Sequence, residues 1–324
     1  MANRTLTCGQ LRRAKYLLHR RAVRAEPPWR VMDNRFFPLV IAAVMLALGL
    51  TLTVADFRRA ATVRRPLLVA LICQSLLLPT LCLLIAEGLH LAPKLAVGLM
   101  LMAATPGGLL ANVVSHLVNG DLALNLTLTA INAVLSIFAI PVILAFSLTW
   151  FLGEGRFIPL QFDKFLAVFA LVLIPIAIGV GIRHRFPELA RRLHKAVRIA
   201  AAVLLVVAVV AGIASGHATL WDNFGVLSVA VVSFCAVSLT IGYVVPRRMQ
   251  LPPRQAIAVS LEIGLHNAVV AVGIALSPQL LNSAEMATPA AIYGIYAPFI
   301  ALAFVFAVRR LDPAYREVAY SRTG

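Results

Sequence analysis

Acidic residues are scarce in this sequence. Only 13 Asp and Glu stand against 29 Lys and Arg in 324 residues, a formal net charge of +16. Charged residues of both signs together reach 13%, hydrophobic residues reach 61%, and the mean hydropathy is +0.90. So few charges cannot cover the surface of a soluble body of this length. Cysteine is also rare: Cys8, Cys73, Cys82 and Cys235 form no CxxC pair, which removes the usual zinc and dithiol chemistries. The last three lie in apolar runs and read as packed thiols. Phosphate-binding glycine loops, zincin motifs, nucleophile elbows and dinucleotide fingerprints are missing. Nothing here hydrolyses ATP, and no nucleophile–base–orienter set marks an enzyme. Zinc-finger spacing, an aromatic-basic surface and a recognition helix are absent too, so the positive charge does not indicate nucleic acid.

What remains is a set of long, continuous apolar runs separated by short basic or polar links. Runs of that kind predict an all-α polytopic membrane protein rather than a barrel of short alternating strands. About nine spans are expected, near residues 37–54, 66–86, 95–118, 122–148, 164–181, 199–213, 224–245, 252–277 and 288–308. The links 153–163, 216–223 and 278–287 read as turns or loops. Residues 1–35 are strongly basic and form a tail or an interfacial segment around Leu11–Val23, with Met32 just before the first span. Residues 36–310 are the transmembrane body, and 311–324 a C-terminal tail. Arginines crowd the links after the first, fifth and seventh spans and the C-terminal tail. The positive-inside rule puts these in the cytoplasm. An odd number of spans would then place the basic N-terminal tail outside, so its side stays open.

Two spans are interrupted. Residues 252–277 are apolar almost throughout, yet carry Glu262-Ile263-Gly264-Leu265-His266-Asn267 in their middle. A carboxylate at that depth needs a partner or a function, and the glycine offers a place for helical hydrogen bonding to stop. A polar packing network between helices is the plain alternative. The span 95–118 is broken at Ala104-Thr105-Pro106-Gly107-Gly108, with Asn112, Ser115 and His116 beyond. Each interrupted span carries an amide just after its break, Asn112 or Asn267, and each precedes the last span of its half. That duplication is the sign of inverted structural repeats, and broken helices of this kind hold ions near mid-membrane in secondary transporters. Asn125 and Thr129 in the following span share a helix face, with Thr127 and Asn132 nearby. Gln74, alone in an apolar span, reads equally as a ligand or as a tie between helices.

The runs Pro106–Val114 and Glu262–Asn267, with Gly49-Leu50-Thr51-Leu52 at the end of the first span, resemble the bile acid:sodium symporter family over about residues 37–309. The resemblance implies a core domain (66–148 and 224–308) and a panel domain (37–54 and 164–213), with the two broken helices crossing in the core. It implies two sodium ions beside the crossover. One would use Asn112, Asn125, Thr129 and Glu262. The other would use Gln74, Glu262, the main-chain carbonyls of Ile263 and Leu265, and the side chain of His266. Thr51, Asn112 and Asn267 would face the substrate.

The sequence departs from the family pattern at Ala111, where a serine is expected, at Asn125, where a hydroxyl is expected, and at His266, where glutamine is expected. It also has Ala297-Pro298 in place of a His-Asn pair found in some bacterial members. Imidazole is a weak ligand for a hard cation and a good proton acceptor, so the second sodium site is doubtful. If His266 meets Glu262 four residues away, a proton could replace one sodium. The resemblance therefore implies a sodium-coupled symporter in a bacterial inner membrane, working by alternating access. Its substrate would be an organic anion: bile-acid-like, a sulfonate or a small carboxylate. It implies no cofactor beyond the coupling ion, and no obligate protein partner. The competing reading is a proton-coupled transporter or an exporter of related fold, including arsenite or weak-acid efflux.

Overall fold

The computed structural model describes residues 36–153 and 162–315, all helices and their links. The basic N-terminal segment, most of the 153–163 loop and the end of the C-terminal tail lie outside the described residues. In order, the helices are α1 (Phe36–Thr51), α2 (Val54–Arg59), α3 (Arg64–Ile72), a π-helical turn (Cys73–Leu77), α4 (Leu78–Gly88), α5 (Pro93–Ala104) and α6 (Leu109–Leu117). Then come α7 (Leu122–Leu152), α8 (Phe162–Arg185), α9 (Pro187–Arg248), α10 (Pro253–Gly264), α11 (Ala268–Leu276) and α12 (Ala284–Leu311). Among the described residues, four stretches are long and apolar enough to cross a membrane unaided: Arg64–Gly88, Leu122–Leu152, Trp221–Arg248 and Ala284–Leu311.

Local chemistry sets the helix ends. Thr53 and Asp56 form a reciprocal capping box that starts α2. The side chains of Asp121, Asn267 and Ser283 accept the amides of Leu124, Val270 and Met286 and so start α7, α11 and α12. Pro93 and Pro253 open α5 and α10, where their missing N–H costs nothing.

The expected turn at 216–223 is not there. Helical hydrogen bonding runs unbroken from Pro187 to Arg248. Gly216 and the Trp221-Asp222-Asn223 cluster suggested a loop. However, no proline stands between Pro187 and Pro246, so every residue between them keeps its amide donor.

Ion pairs and caps sort the links onto two ends of the bundle. At one end Arg59 meets Asp121 at 3.9 Å, Arg65 donates to the Met249 carbonyl and Arg254 donates to the Asn119 carbonyl. Tyr315 reaches the Val118 carbonyl at the same end, and Asp312 pairs with Arg247 and Tyr243. At the other end Lys94 pairs with Glu285 at 3.1 Å, and Trp150 donates to Glu87 at 2.6 Å. The arginine-rich links after the first and seventh expected spans therefore share an end with Asp312 and Tyr315, just beyond α12.

α1 lies along α8, and glycines make that approach close. Around Gly179, a side chain would come 2.7 Å from the main chain of Gly49 and of Leu46. At Gly49 a methyl group would overlap the main-chain carbonyl of Ile176, which cannot move aside as a side chain can. Gly49→Ala is expected to cost about 1–3 kcal/mol of stability, read as a lower unfolding temperature in detergent. Wild-type stability in this variant would mean the two helices are free to separate.

Candidate functional site

The two interrupted spans meet at their breaks. Between α5 and α6 the chain leaves the helix, with Thr105 and Gly108 extended, and between α10 and α11 it is non-helical from Leu265 to Asn267. These linkers pair antiparallel at Gly107 and His266. Gly108 donates its amide to the Leu265 carbonyl at 3.1 Å, and Asn267 donates its amide to the Pro106 carbonyl at 3.0 Å. Backbone that leaves a helix inside a membrane needs partners from the protein. Side chains complete the set. Gln74, on the π-helical turn, donates to the carbonyls of Ala103 and Thr105, each at 3.3 Å. The Nδ1 of His266 lies 3.0 Å from the Thr105 carbonyl, which can only accept, so Nδ1 carries the proton. From α12, Tyr293 donates to the Gly264 carbonyl and accepts the His266 amide at 3.2 Å.

Glu262 lies in the last turn of α10, just before this joint, and is fully buried. Its carboxylate faces α7. Thr129 donates to Oε2 at 2.6 Å, Asn125 approaches the same oxygen at 3.5 Å, and Asn132 lies 3.4 Å from Oε1. Asn112 on α6 joins the cluster. Its Oδ1 accepts from Asn125 at 2.7 Å, and its Nδ2 lies 3.5 Å from the Thr129 hydroxyl. The Oδ1 of Asn125 is buried here with no hydrogen-bond partner. Gly107 packs so closely on Glu262 that a Cβ there would overlap the carboxylate.

Asn112, Asn125, Thr129 and Glu262 thus converge in one cluster. Gln74 and His266 converge elsewhere, on the Thr105 carbonyl, and among the described contacts neither touches Glu262. The Glu262–His266 pairing expected from their spacing does not form. The break after Gly264 turns the imidazole away, to stack on Phe234 with ring centroids 5.2 Å apart and to meet Tyr293 edge-on. The carbonyl of Leu265 is occupied by the Gly108 amide, and Ile263 is buried in the core. Asn132 and Tyr293 were not read as site residues from sequence. Asn132 was within reach, because it stands seven residues after Asn125 on the same face of α7. No local pattern points to Tyr293.

A cavity of about 640 Å³ opens beside the cluster, at the bundle end that carries Arg59 and Asp121. Thr51, Asn112, His116, Arg183 and Arg191 supply its polar wall, and Val113 with leucines of α1, α6 and α7 the rest. The Thr51 hydroxyl donates back to the Leu48 carbonyl at 2.6 Å. Asn267 does not line the cavity. Its side chain caps α11 by accepting from Val270. Asn112 belongs to both places, the cavity wall and the Glu262 cluster.

Residues 38–223 match the model of the Sodium Bile acid symporter family. The chain is 28% identical to a Bacillus subtilis protein named as an uncharacterized sodium-dependent transporter, over 81% of this chain and 79% of that one. It is 24% identical to the human ileal sodium/bile acid cotransporter, over 78% of this chain and 73% of the relative. It is 31% identical to human sodium/bile acid cotransporter 4, over 78% of this chain and 59% of the relative.

Proposed function

Because this chain belongs to the sodium/bile acid symporter family, we propose that it is a sodium-driven carrier of an organic anion, with Glu262 holding the driving ion. It is a transport protein and not an enzyme. The observation that carries the reading is the buried Glu262 carboxylate at the crossing of two broken helices, beside the unpartnered amide oxygen of Asn125. A fully buried carboxylate needs compensating positive charge, and no cationic side chain is among its described partners. A hard cation supplies that charge and seeks such oxygens. Thr129 can accommodate one without losing its own hydrogen bond. Its hydroxyl also lies 3.0 Å from the Asn125 carbonyl, so the proton can turn there and leave the oxygen to the ion.

This reading takes one sodium per cycle at Asn112, Asn125, Thr129 and Glu262. Gln74 and His266 serve the main chain at the crossover. Sodium orders the cluster and fixes Asn112, which also forms part of the cavity wall, so ion and anion favour each other's binding. Helices α1 and α8 then move as a panel against the core built on the two crossed helices, opening the site to alternate sides. The basic end of the bundle, with the C-terminus, faces the cytoplasm.

Thermal unfolding in detergent tests the ion site, because a ligand that binds only the folded state must raise its stability. Sodium chloride is expected to raise the unfolding temperature above that in choline chloride of equal concentration. Thr129→Val is expected to raise the half-saturating sodium concentration about tenfold, the loss of one charge-assisted contact. A wild type that does not distinguish sodium from choline sinks the proposal.

A further inference from the structure

We infer that the outer side of the α9–α12 pair, at the basic end of the bundle, binds an anionic phospholipid, with Arg248 and Arg310 on its phosphate and its acyl chains along the two helices. The inference uses only the membrane-spanning character of these helices and holds whichever ion and substrate the chain carries. Three observations carry it.

The first is alignment. Ser228 meets Tyr296 at 3.3 Å, the rings of Tyr243 and Phe304 lie 6.3 Å apart, and Arg247 pairs with Asp312 at 3.0 Å. The two helices therefore pack side by side and run the same way. Their basic last turns, Arg247-Arg248 and Arg309-Arg310, come together at one level.

The second is charge. These turns hold four arginines, and among the described residues the carboxylate that meets them is Asp312, taken by Arg247 and Tyr243. Each helix C-terminus offsets about half a charge, so about two positive charges remain. Arg309 is partly buried towards Tyr315, whereas Arg248 and Arg310 are exposed. Among the described residues no carboxylate pairs with either of them. Arg310 lays its guanidinium over the Phe306 ring, 4.3 Å from the centroid. The ring steadies it and leaves its N–H edge for an oxyanion.

The third is the surface below the arginines. Val237, Thr240 and Val244 lead to Arg248 at intervals of three and four residues, and Phe299, Leu302 and Phe306 lead to Arg310 at the same intervals. All of them are exposed. Thr240 returns its hydroxyl proton to the Ala236 carbonyl and adds no polar demand. Counted at about 100° per residue from Tyr243 and Phe304, which face each other, both lines fall on the same side of the pair. Two apolar lines, each topped by a cation, match a two-chain lipid with one phosphate. Free phosphate would leave the lines uncovered, and a zwitterionic lipid would bring an ammonium group beside the guanidiniums.

The test is thermal unfolding of the purified full chain in dodecyl maltoside, with dioleoyl phosphatidylglycerol, dioleoyl phosphatidylcholine or soluble glycerol phosphate added. Phosphatidylglycerol is expected to raise the unfolding temperature well above the level reached with phosphatidylcholine, and glycerol phosphate to leave it unchanged. The double variant Arg248→Gln with Arg310→Gln is expected to need about tenfold more phosphatidylglycerol for half the effect. Without lipid it should unfold close to the wild-type temperature, since both side chains are exposed. Arg58→Gln with Arg185→Gln removes the same charge from exposed positions at the same end, and should respond to the lipid as wild type does. Equal losses in the two double variants overturn the site and leave only the attraction of a basic surface for an anionic leaflet. Equal stabilisation by the two lipids overturns the anionic head group, and stabilisation by glycerol phosphate overturns the lipid as occupant. A wild type that none of the three stabilises overturns the inference.

Discussion

Glu262→Gln is expected to fold and to lose sodium. The substitution keeps the shape of the side chain and one oxygen to accept from Thr129, puts an amide donor at the position facing Asn132, which can meet it by turning its own amide, and removes the charge. Taking one partner from a buried ion pair costs about 3–5 kcal/mol, which is at least about 100-fold in affinity. Sodium should therefore no longer raise the unfolding temperature at any practical concentration, and sodium-driven uptake into proteoliposomes should cease. Without sodium the same variant should be as stable as wild type or more so, because a neutral amide is cheaper to bury than an uncompensated carboxylate. The two halves together are diagnostic. A structural carboxylate would give the reverse pattern, a less stable variant with unchanged sodium dependence.

Gly107→Ala probes the same carboxylate from the other side. A methyl group there overlaps the Glu262 carboxylate, which Thr129 and Asn132 hold against α7. The side chain can yield only by giving up those contacts. A loss of about 1–3 kcal/mol is expected, together with the sodium response, because the displaced carboxylate no longer faces Asn125. The neighbouring glycine provides the control. At Gly108 an added Cβ would sit 3.7 Å from the Asn267 Cα, an ordinary contact, and the backbone there is plain extended chain. Gly108→Ala should keep both stability and sodium binding. If the two substitutions behave alike, the crossover as a whole is intolerant and the close contact with Glu262 is not the cause.

The parts of the site visible in the sequence are those with a backbone or periodic signature. Pro106 with Gly107 and Gly108 removes a donor and relaxes the chain inside an apolar run, so a break was legible there, and Gly264 marked the second. The pairing of the two breaks was not legible, because no spacing encodes contact between residues some 160 positions apart. Asn125 and Thr129 declared their shared face by a separation of four, and Asn132 continues it. Tyr293, one of five aromatics in an apolar helix, gives no such cue, yet it completes the main-chain bonding at Gly264 and His266. The π-helical turn carrying Gln74 is equally hidden, since no glycine or proline lies between Cys73 and Leu77. Polar composition misled at 216–223, where small and polar residues continue a helix. Arg183 and Arg191 read as charges of a cytoplasmic link, and only the packing of α1, α6 and α8 gives them a cavity to face.

The joint between the linkers is made by amides and carbonyls, with side chains only filling in around it. Hydrogen bonds of that kind do not depend on residue identity. Position 266 can therefore change from an amide to an imidazole while the crossing angle of the two helices and the place of Glu262 stay put. The cation chemistry at this centre is free to drift by single substitutions, because the frame that carries it is written in the main chain.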